Sequence, residues 1–168
     1  MRNFDHNLSQ LKLCEIKGGT WIDAGCGYGT YTFPLSQIAS KVIAIDNDVR
    51  NIESLKTQIK KNKRLNIEVI QQDFNSRLYH STVDGVLFAF SLHYQHAALV
   101  PIKIAYQQLN LGGKILIFEY SRSEPLPWIP YPKPISRITS ILIEIGFSSI
   151  KKIYENHRYY ILRGSKKE

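Results

Sequence analysis

A glycine-rich loop preceded by an acidic residue has the clearest chemical potential in this sequence. The segment WIDAGCGYGTYTF places Asp23 two positions before Gly25, and Gly27 and Gly29 follow at alternate positions. Glycines with this spacing allow a tight turn and let a ligand lie against bare backbone. The helix expected next offers unpaired N–H groups to a carboxylate or a phosphate. A carboxylate in front of the loop would repel a pyrophosphate and attract a cation, so the loop favours a ligand with a cationic group.

Two further acidic residues are expected at the same edge of a sheet. Asp46 ends the apolar segment KVIAID, with Asn47 beside it, and Asp73 follows the next apolar segment. The carboxyl ends of parallel strands face one crevice, where open α/β sheets bind their ligands. A carboxylate at Asp46 can accept hydrogen bonds from both hydroxyls of a ribose. We therefore expect Asp23, Asp46 and Asp73 to converge on a nucleoside. The alternative is three unrelated caps and turn formers.

The elements that must position these residues follow from the spacing of apolar side chains. Short apolar segments predict strands at 20–24, 41–46, 66–70, 83–90, 114–119, 147–154 and 158–163. Amphipathic segments predict helices at 7–16, 30–40, 48–62, 96–109 and 135–145, with Gly112–Gly113 ending the fourth. Strands separated by helices indicate an α/β fold with a parallel sheet and helices on both faces.

Taken in order along the chain, these motifs resemble those of the class I S-adenosylmethionine-dependent methyltransferases. DAGCGYG resembles the family's first motif, IAID its acidic ribose loop, and QQDF its adenine-contacting motif. DGVLFAFSLHY resembles the fourth-strand motif, and LNLGGKILIFE the turn and fifth strand after it. The resemblance covers residues 18–164. It implies a Rossmann-like, seven-stranded, mostly parallel sheet whose last strand runs antiparallel between strands five and six.

The resemblance also implies the cofactor and its contacts. S-adenosyl-L-methionine would be the cofactor and S-adenosyl-L-homocysteine the product, as in enzymes of class EC 2.1.1. The glycines would surround the methionine end, Asp46 would bind the ribose, and Asp73 would bind the adenine amino group. The predicted cofactor-binding residues are Asp23, Gly25, Gly27, Gly29, Asp46, Asn47, Asp73, Phe74, Phe90 and Ser91.

Side chains at the ends of strands four and five are the candidates for contact with the methyl acceptor. Methyl transfer needs in-line alignment of a nucleophile, and a general base helps only where that nucleophile starts protonated. His93 and Tyr94 are the candidate catalytic residues, with His96 on the following helix as an alternative. A histidine that caps a helix or packs on the cofactor is the other interpretation of His93. Glu119 and Tyr120 are candidate substrate contacts or surface residues.

A proline-rich segment follows the fifth strand. EPLPWIPYPKP, residues 124–134, holds five of the seven prolines and cannot be a helix or a central strand. Because it leaves the sheet beside the expected crevice, we predict that Trp128 contacts the substrate from an aromatic lid. A polyproline II connector and a partner-docking strip are the alternatives.

Composition bounds the class of protein. The chain has 168 residues, 43% of them apolar and 21% charged, which suits one packed domain. Lys and Arg total 22 against 14 Asp and Glu, a net charge of +8, so anionic partners enter consideration. Two cysteines exclude a disulfide framework, and no metal site is expected. Neither a signal peptide nor a membrane span is evident, which predicts a cytoplasmic protein.

We expect a single methyltransferase domain over residues 1–168. A short N-terminal helix at 7–16 would precede a cofactor-binding half at 18–92 and a substrate half at 93–164, which contains the Pro-rich segment 121–134. The expected function is methyl transfer from S-adenosylmethionine to a small molecule, with no membrane partner. The alternatives are an RNA methyltransferase with a basic surface at 56–64 and a non-catalytic cofactor-binding partner subunit. A partner chain or a homodimer remains open.

Overall fold

Seven strands, five α-helices and a 3-10 helix at Leu92–Tyr94 make up the computed structural model, which describes residues 3–167. Residues 1, 2 and 168, at the ends of the expected domain, lie outside the described residues. The strands are β1 Thr20–Ala24, β2 Lys41–Asp46, β3 Ile67–Gln71, β4 Val83–Ala89, β5 Leu109–Tyr120, β6 Phe147–Glu155 and β7 Tyr159–Lys166. The helices are α1 Phe4–Leu13, α2 Thr32–Leu35, α3 Val49–Lys61, α4 Leu99–Gln108 and α5 Ile135–Ile145. Among the described residues, no helix is both long and apolar enough to cross a membrane.

The strands form one sheet in the order β3-β2-β1-β4-β5-β7-β6. Strands β1 to β5 are parallel, and β7 runs antiparallel between β5 and β6. The predicted fold class, including the inserted antiparallel strand, is therefore confirmed. After β3 the chain returns to the other side of β1, so the carboxyl ends of β1 and β4 flank the topological switch point where ligands of such sheets bind.

Side chains that alternate along the strands build a core on each face of the sheet. Ile22 and Ile43 belong to the layer covered by α4 and α5. Trp21 and Val42, one position earlier on the same strands, belong to the layer under α1 and α2, and Leu55 of α3 packs on Ala44. Both faces are thus covered by helices, as the pattern of buried parallel strands predicts.

The predicted bounds were wrong for α2, which follows the glycine loop, and for α4, which follows the end of β4. In place of a helix at 30–40, α2 has four residues, and tighter i→i+3 hydrogen bonds follow it: Gln37 N–H donates to Pro34 O and Ile38 N–H to Leu35 O. The helix predicted at 96–109 begins only at Leu99. His96 therefore lies in the loop before α4 and not on the helix.

Gly112–Gly113 does not end a helix, because α4 ends earlier, at Gln108. The pair lies inside β5, where the register against β4 jumps from Val83↔Leu109 to Gly85↔Lys114. The intervening residues bulge out of the ladder, and Gly112 adopts a positive φ of 74°. Smaller differences are the start of α1 at Phe4 and the extension of β7 to Lys166, which pairs with Phe147.

Candidate active site

A cavity of about 610 Å³ opens at the carboxyl ends of the central strands. Its volume falls within the roughly 300–1,000 Å³ typical of small-molecule sites. Nine of the ten predicted cofactor-binding residues line it: Asp23, Gly25, Gly27, Asp46, Asn47, Asp73, Phe74, Phe90 and Ser91. Tyr94 and Tyr120 line it as well, whereas Gly29, His93, Glu119 and Trp128 do not.

The three loop glycines all have positive φ, but each meets different surroundings. A Cβ on Gly25 would lie 2.6 Å from Ser91 Cβ, and one on Gly29 would lie 2.7 Å from Leu55 Cδ1. Those two glycines therefore permit close packing of the loop. A Cβ on Gly27 would meet nothing within 4 Å. Gly27 thus presents bare backbone to the open cavity, as expected of a glycine that makes room for a ligand.

This difference makes Gly27→Ala a test of the cavity with little consequence for packing. The methyl group would occupy ligand space, and we expect the affinity for S-adenosylhomocysteine to fall about tenfold or more. Strain at positive φ should cost about 1–2 kcal/mol of stability. Gly112→Ala is the matched control because Gly112 is exposed, has a positive φ and does not line the cavity. Calorimetric titration of both variants checks this, and equal affinities in the two would refute the role of Gly27.

Asp46 holds the loop as well as facing the cavity. Its Oδ2 accepts a hydrogen bond from Gly27 N–H at 2.8 Å. Its Oδ1 accepts from Asp48 N–H at 2.9 Å and from Asn51 Nδ2 at 3.2 Å. The carboxylate therefore ties the end of β2 to the loop and to the start of α3. This bracing role was not predicted from the sequence.

Asp23 is a buried carboxyl group with one oxygen left over. The residue is 1% exposed, and its Oδ2 accepts a hydrogen bond from Thr32 Oγ1 at 2.6 Å. Its Oδ1 is buried and has no hydrogen-bond partner among the described residues. Burial, reinforced by the charge of Asp46 and opposed by the Thr32 hydrogen bond, raises the pKa of Asp23 from 3.8 to about 7. A buried acceptor without a partner is costly, so this oxygen is suited to a donor supplied by a ligand.

Asp73 and Phe74 line the end of the cavity that lies just after β3. Asp73 Oδ1 accepts hydrogen bonds from Asn75 N–H at 2.8 Å and Asn75 Nδ2 at 3.0 Å, which fixes a turn. Phe74 is buried and packs edge-on against Phe88, with ring centroids 5.7 Å apart. This end therefore combines an exposed carboxylate with the edge of an aromatic ring, a pairing that suits a polar heterocycle.

His93 and Glu119 form a buried pair behind the cavity wall. They are 2% and 0% exposed, and His93 Nδ1 lies 2.8 Å from Glu119 Oε1. Glu119 also accepts hydrogen bonds from His93 N–H at 3.0 Å and Tyr120 N–H at 3.1 Å. The ends of β4 and β5 therefore bring the two side chains together. They do not line the cavity themselves, whereas the neighbouring Tyr94 and Tyr120 do.

The proline-rich segment is anchored by hydrogen bonds to His93 and to Tyr160 of β7. Tyr131 N–H donates to His93 O at 3.0 Å, and Tyr160 Oη donates to Lys133 O at 2.6 Å. Leu126 and Ile129 exchange backbone hydrogen bonds of 3.1 and 2.9 Å, and Ile129 is buried. Trp128 is 60% exposed at the tip of this turn. The segment is hydrogen-bonded at its C-terminal end, and its tryptophan faces outward from the tip.

Several cavity residues were missed by sequence reasoning. Tyr28 and Tyr31 line the cavity, and Thr32 holds Asp23. Tyr31 Oη donates to Gln10 Oε1 at 2.9 Å, so α1 supports this part of the wall. The available signal was the cluster of hydroxyl-bearing residues directly after the glycines, in GYGTYT.

A family model described as "Methyltransferase domain" matches residues 16–162 of the chain. The chain belongs to the class I S-adenosylmethionine-dependent methyltransferases. The cavity fits that cofactor, because it offers a buried carboxyl oxygen that no group of residues 3–167 pairs, a glycine backbone open to the ligand space, and an acidic residue at the end of β2. The cofactor of this family is S-adenosylmethionine.

Individual relatives of the methyltransferase have different acceptors. The demethylmenaquinone methyltransferase of Lactococcus lactis is 26% identical over 114 residues, which are 66% of this chain and 45% of the relative. A probable ribosomal RNA small subunit methyltransferase A of Methanosphaera stadtmanae is 46% identical over 54 residues, 32% of this chain and 20% of the relative. The chain spans less than half the length of the curated relatives it matches.

A crystal structure shows the shared fold. Magnesium protoporphyrin IX methyltransferase from Synechocystis PCC 6803, solved with S-adenosylmethionine bound, matches with a TM-score of 0.76 at 18% identity. The match covers 98% of this chain and 78% of that chain.

Proposed function

We propose that the protein transfers a methyl group from S-adenosylmethionine to a small, uncharged acceptor. The observation that carries this proposal is the charge of the cavity lining. Its charged side chains are all acidic, namely Asp23, Asp46, Asp48 and Asp73, and no lysine or arginine among residues 3–167 lines it. An acceptor that brings a phosphate or carboxylate would meet like charges in a partly enclosed site, where repulsion is stronger than in water.

The proposed contacts with the cofactor follow from the donor and acceptor groups present. Asp23 Oδ1, which has no partner within residues 3–167, would accept from the ammonium group, and Asp46 would accept from the ribose hydroxyls. Asp73 and Phe74 would contact the adenine. Asn47, Phe90 and Ser91 would line the rest of the cofactor site. When bound, the cofactor supplies an electrophilic methyl group on a sulfonium sulfur.

The acceptor would then lie at the aromatic end of the cavity. Tyr94 and Tyr120 line that end and carry hydroxyl groups able to orient it. We propose that Tyr94 is the nearer of the two candidate catalytic residues, since His93 is buried behind it. Glu119 and His93 would act as positioning residues through Tyr94 and Tyr120. Contact between Trp128 and the substrate stays a prediction. Trp128 is exposed, and it could cover the substrate only if the turn that carries it moves.

The origin of the cavity-lining residues supports the proposed division into a cofactor-binding half at 18–92 and a substrate half at 93–164. Most of the lining comes from residues before 93, and Tyr94, Gln95 and Tyr120 are the contributions from the proposed substrate half.

The strongest evidence for the RNA alternative is the basic segment at 56–64, most of which is exposed at the end of α3. None of these residues lines the cavity, so an RNA bound to them would also have to extend into the cavity to be methylated.

Transfer of a labelled methyl group tests the proposal. Purified protein with methyl-tritiated S-adenosylmethionine is expected to label small organic compounds and not ribosomal RNA, with modest dependence on salt. Gly27→Ala serves as the cofactor-deficient control. Labelling of RNA that falls steeply between low and physiological salt would favour the RNA acceptor instead. Tight cofactor binding without transfer to any acceptor class would favour the non-catalytic subunit.

The raised pKa of Asp23 predicts a pH dependence of cofactor affinity. Binding an ammonium group requires the ionised carboxylate, so affinity should rise with pH and fall by about fivefold from pH 7 to pH 6. Because the pKa in the folded protein, about 7, lies above the ordinary 3.8, the same group should lower the free energy of unfolding of the ligand-free protein as pH rises from 4 to 7. Titrations with S-adenosylhomocysteine at several pH values check this. Asp23→Asn should bind weakly and show a flat profile; a wild-type profile in that variant would refute the assignment.

A further inference from the structure

An unbroken series of aromatic rings runs along the acceptor end of the cavity. Tyr31 and Phe90 have ring centroids 6.1 Å apart, and Phe90 and Tyr120 have centroids 4.9 Å apart. The series continues from Tyr120 to His93 at 5.1 Å and from His93 to Tyr94 at 4.2 Å. All of these rings except that of His93 line the cavity. One wall is therefore almost entirely made of π-faces and ring edges.

Burial in the core explains only part of this wall, because Tyr31 is buried and Phe90 packs against the core, but the rings of Tyr94 and Tyr120 are exposed to the cavity. The rings come from three separate parts of the fold: the loop before α2, the segment after β4, and the end of β5. Tyr94 is 59% exposed, and Phe90 and Tyr120 are only half-buried. Aromatic surface that faces an open cavity contributes little to folding, because its stabilisation comes from removal from water. The exposed rings are thus available to a ligand.

The backbone of Phe90 supports a functional reason for the wall. Its φ of +55° lies in the left-handed region, which bulky residues rarely adopt. The conformation is held on both sides, because Phe90 N–H donates to Phe118 O at 2.9 Å and Ser91 Oγ donates to Ala24 O at 2.8 Å. Such strain clusters at ligand-binding sites, where the surrounding structure imposes it.

The polar groups on this wall are hydroxyls. Tyr31 Oη is engaged with Gln10, whereas the hydroxyls of Tyr94 and Tyr120 donate no hydrogen bond within residues 3–167. Burial raises the pKa of Tyr120, so its hydroxyl stays protonated and able to donate. The wall can therefore stack on a ring and donate to an oxygen or nitrogen on it, without a cation to neutralise an anion.

We infer that the acceptor is a planar, uncharged aromatic molecule that stacks on the wall formed by Phe90, Tyr120 and Tyr94 and carries a hydroxyl or ring nitrogen. This inference rests on the proposed function and specifies its substrate class. Aromatic ligands prefer offset-stacked and edge-to-face arrangements with such rings. Saturated molecules of the same size lack that contribution, and anionic ones find no lysine or arginine among the residues of 3–167 that line the cavity.

Three probes of one skeleton test the inference by binding alone. The protein is saturated with S-adenosylhomocysteine and titrated with 2-naphthol, decahydro-2-naphthol and 2-naphthoate, with ligand-observed NMR as the readout. We expect 2-naphthol to bind about fivefold to tenfold more tightly than the saturated alcohol, and more tightly than the anion. Equal affinities of the planar and saturated alcohols, or tighter binding of the anion, would overturn the inference and leave the cofactor assignment intact.

Matched variants locate the probe on the wall. Tyr120→Leu should lower the affinity for 2-naphthol about fivefold with little change for S-adenosylhomocysteine. Tyr154→Leu, which removes a ring of β6 outside the cavity lining, should change neither affinity. If Tyr120→Leu does not fold, the exposed Tyr94→Leu replaces it. Unchanged 2-naphthol affinity in the variant that folds overturns the inference. Failure of the wild type to bind S-adenosylhomocysteine would instead refute the proposed function, and this inference with it.

Discussion

Replacing Asp46 by alanine is expected to lower the affinity for S-adenosylmethionine by about 10- to 150-fold, equivalent to about 1.5–3 kcal/mol. Two effects contribute to this loss. The variant loses charge-assisted hydrogen bonds to the ribose, and it also releases Gly27 N–H, which Asp46 holds at 2.8 Å. Calorimetric titration measures the affinity, and circular dichroism establishes that the variant is folded.

Asp84→Ala is the matched control for this variant. Asp84 also accepts a backbone and a side-chain hydrogen bond, from Thr20 N–H at 2.8 Å and Asn110 Nδ2 at 3.0 Å, but it lies at the amino edge of the sheet. Its loss should lower stability and leave the cofactor affinity unchanged. An Asp46→Ala variant that is folded and binds with wild-type affinity would contradict the ribose assignment.

Glu119→Ala is expected to lower the free energy of unfolding by about 3–5 kcal/mol. The carboxylate is fully buried, and its removal leaves three donors without a partner: His93 Nδ1, His93 N–H and Tyr120 N–H. Urea denaturation followed by tryptophan fluorescence measures the change. Glu119→Gln keeps one acceptor oxygen and nearly the same volume, so it should lose markedly less.

An exposed glutamate provides the comparison. Glu155 pairs with Lys152 at 2.6 Å on the surface of β6, and its replacement by alanine should change stability by less than about 1 kcal/mol. A Glu119→Ala variant as stable as Glu155→Ala would show that the His93–Glu119 pair does not brace the acceptor end.

The parts of the fold that were predictable are those set by local sequence. Helix α3 begins and ends as predicted because Asp48 accepts a hydrogen bond from Arg50 N–H and the chain leaves the helix at Asn62. The convergence of Asp23, Asp46 and Asp73 was also predictable, because parallel strands bring their carboxyl ends to one edge. The antiparallel β7 came from the family resemblance alone, since pairing between distant strands leaves no local signal.

The features that escaped prediction depend on register and on distant partners. His93 at the end of a strand was predicted to be a candidate base within reach of substrate, but pairing of Ala89 with Phe118 brings Glu119 beside it and both side chains are buried. Gly112–Gly113 suggested the end of a helix, because many helices end at a glycine; here the pair lies in a bulge within β5. The aromatic wall likewise joins residues that are far apart in sequence.

Calorimetric titration of the wild-type protein with S-adenosylhomocysteine and, separately, with NAD shows which cofactor the glycine loop binds. We predict saturable binding of S-adenosylhomocysteine at one site, weakened in Gly27→Ala and preserved in Gly112→Ala. We predict no comparable binding of NAD, because Asp23 would repel a pyrophosphate in the glycine loop. Tight binding of NAD without binding of S-adenosylhomocysteine would refute the assignment of the cavity to S-adenosylmethionine.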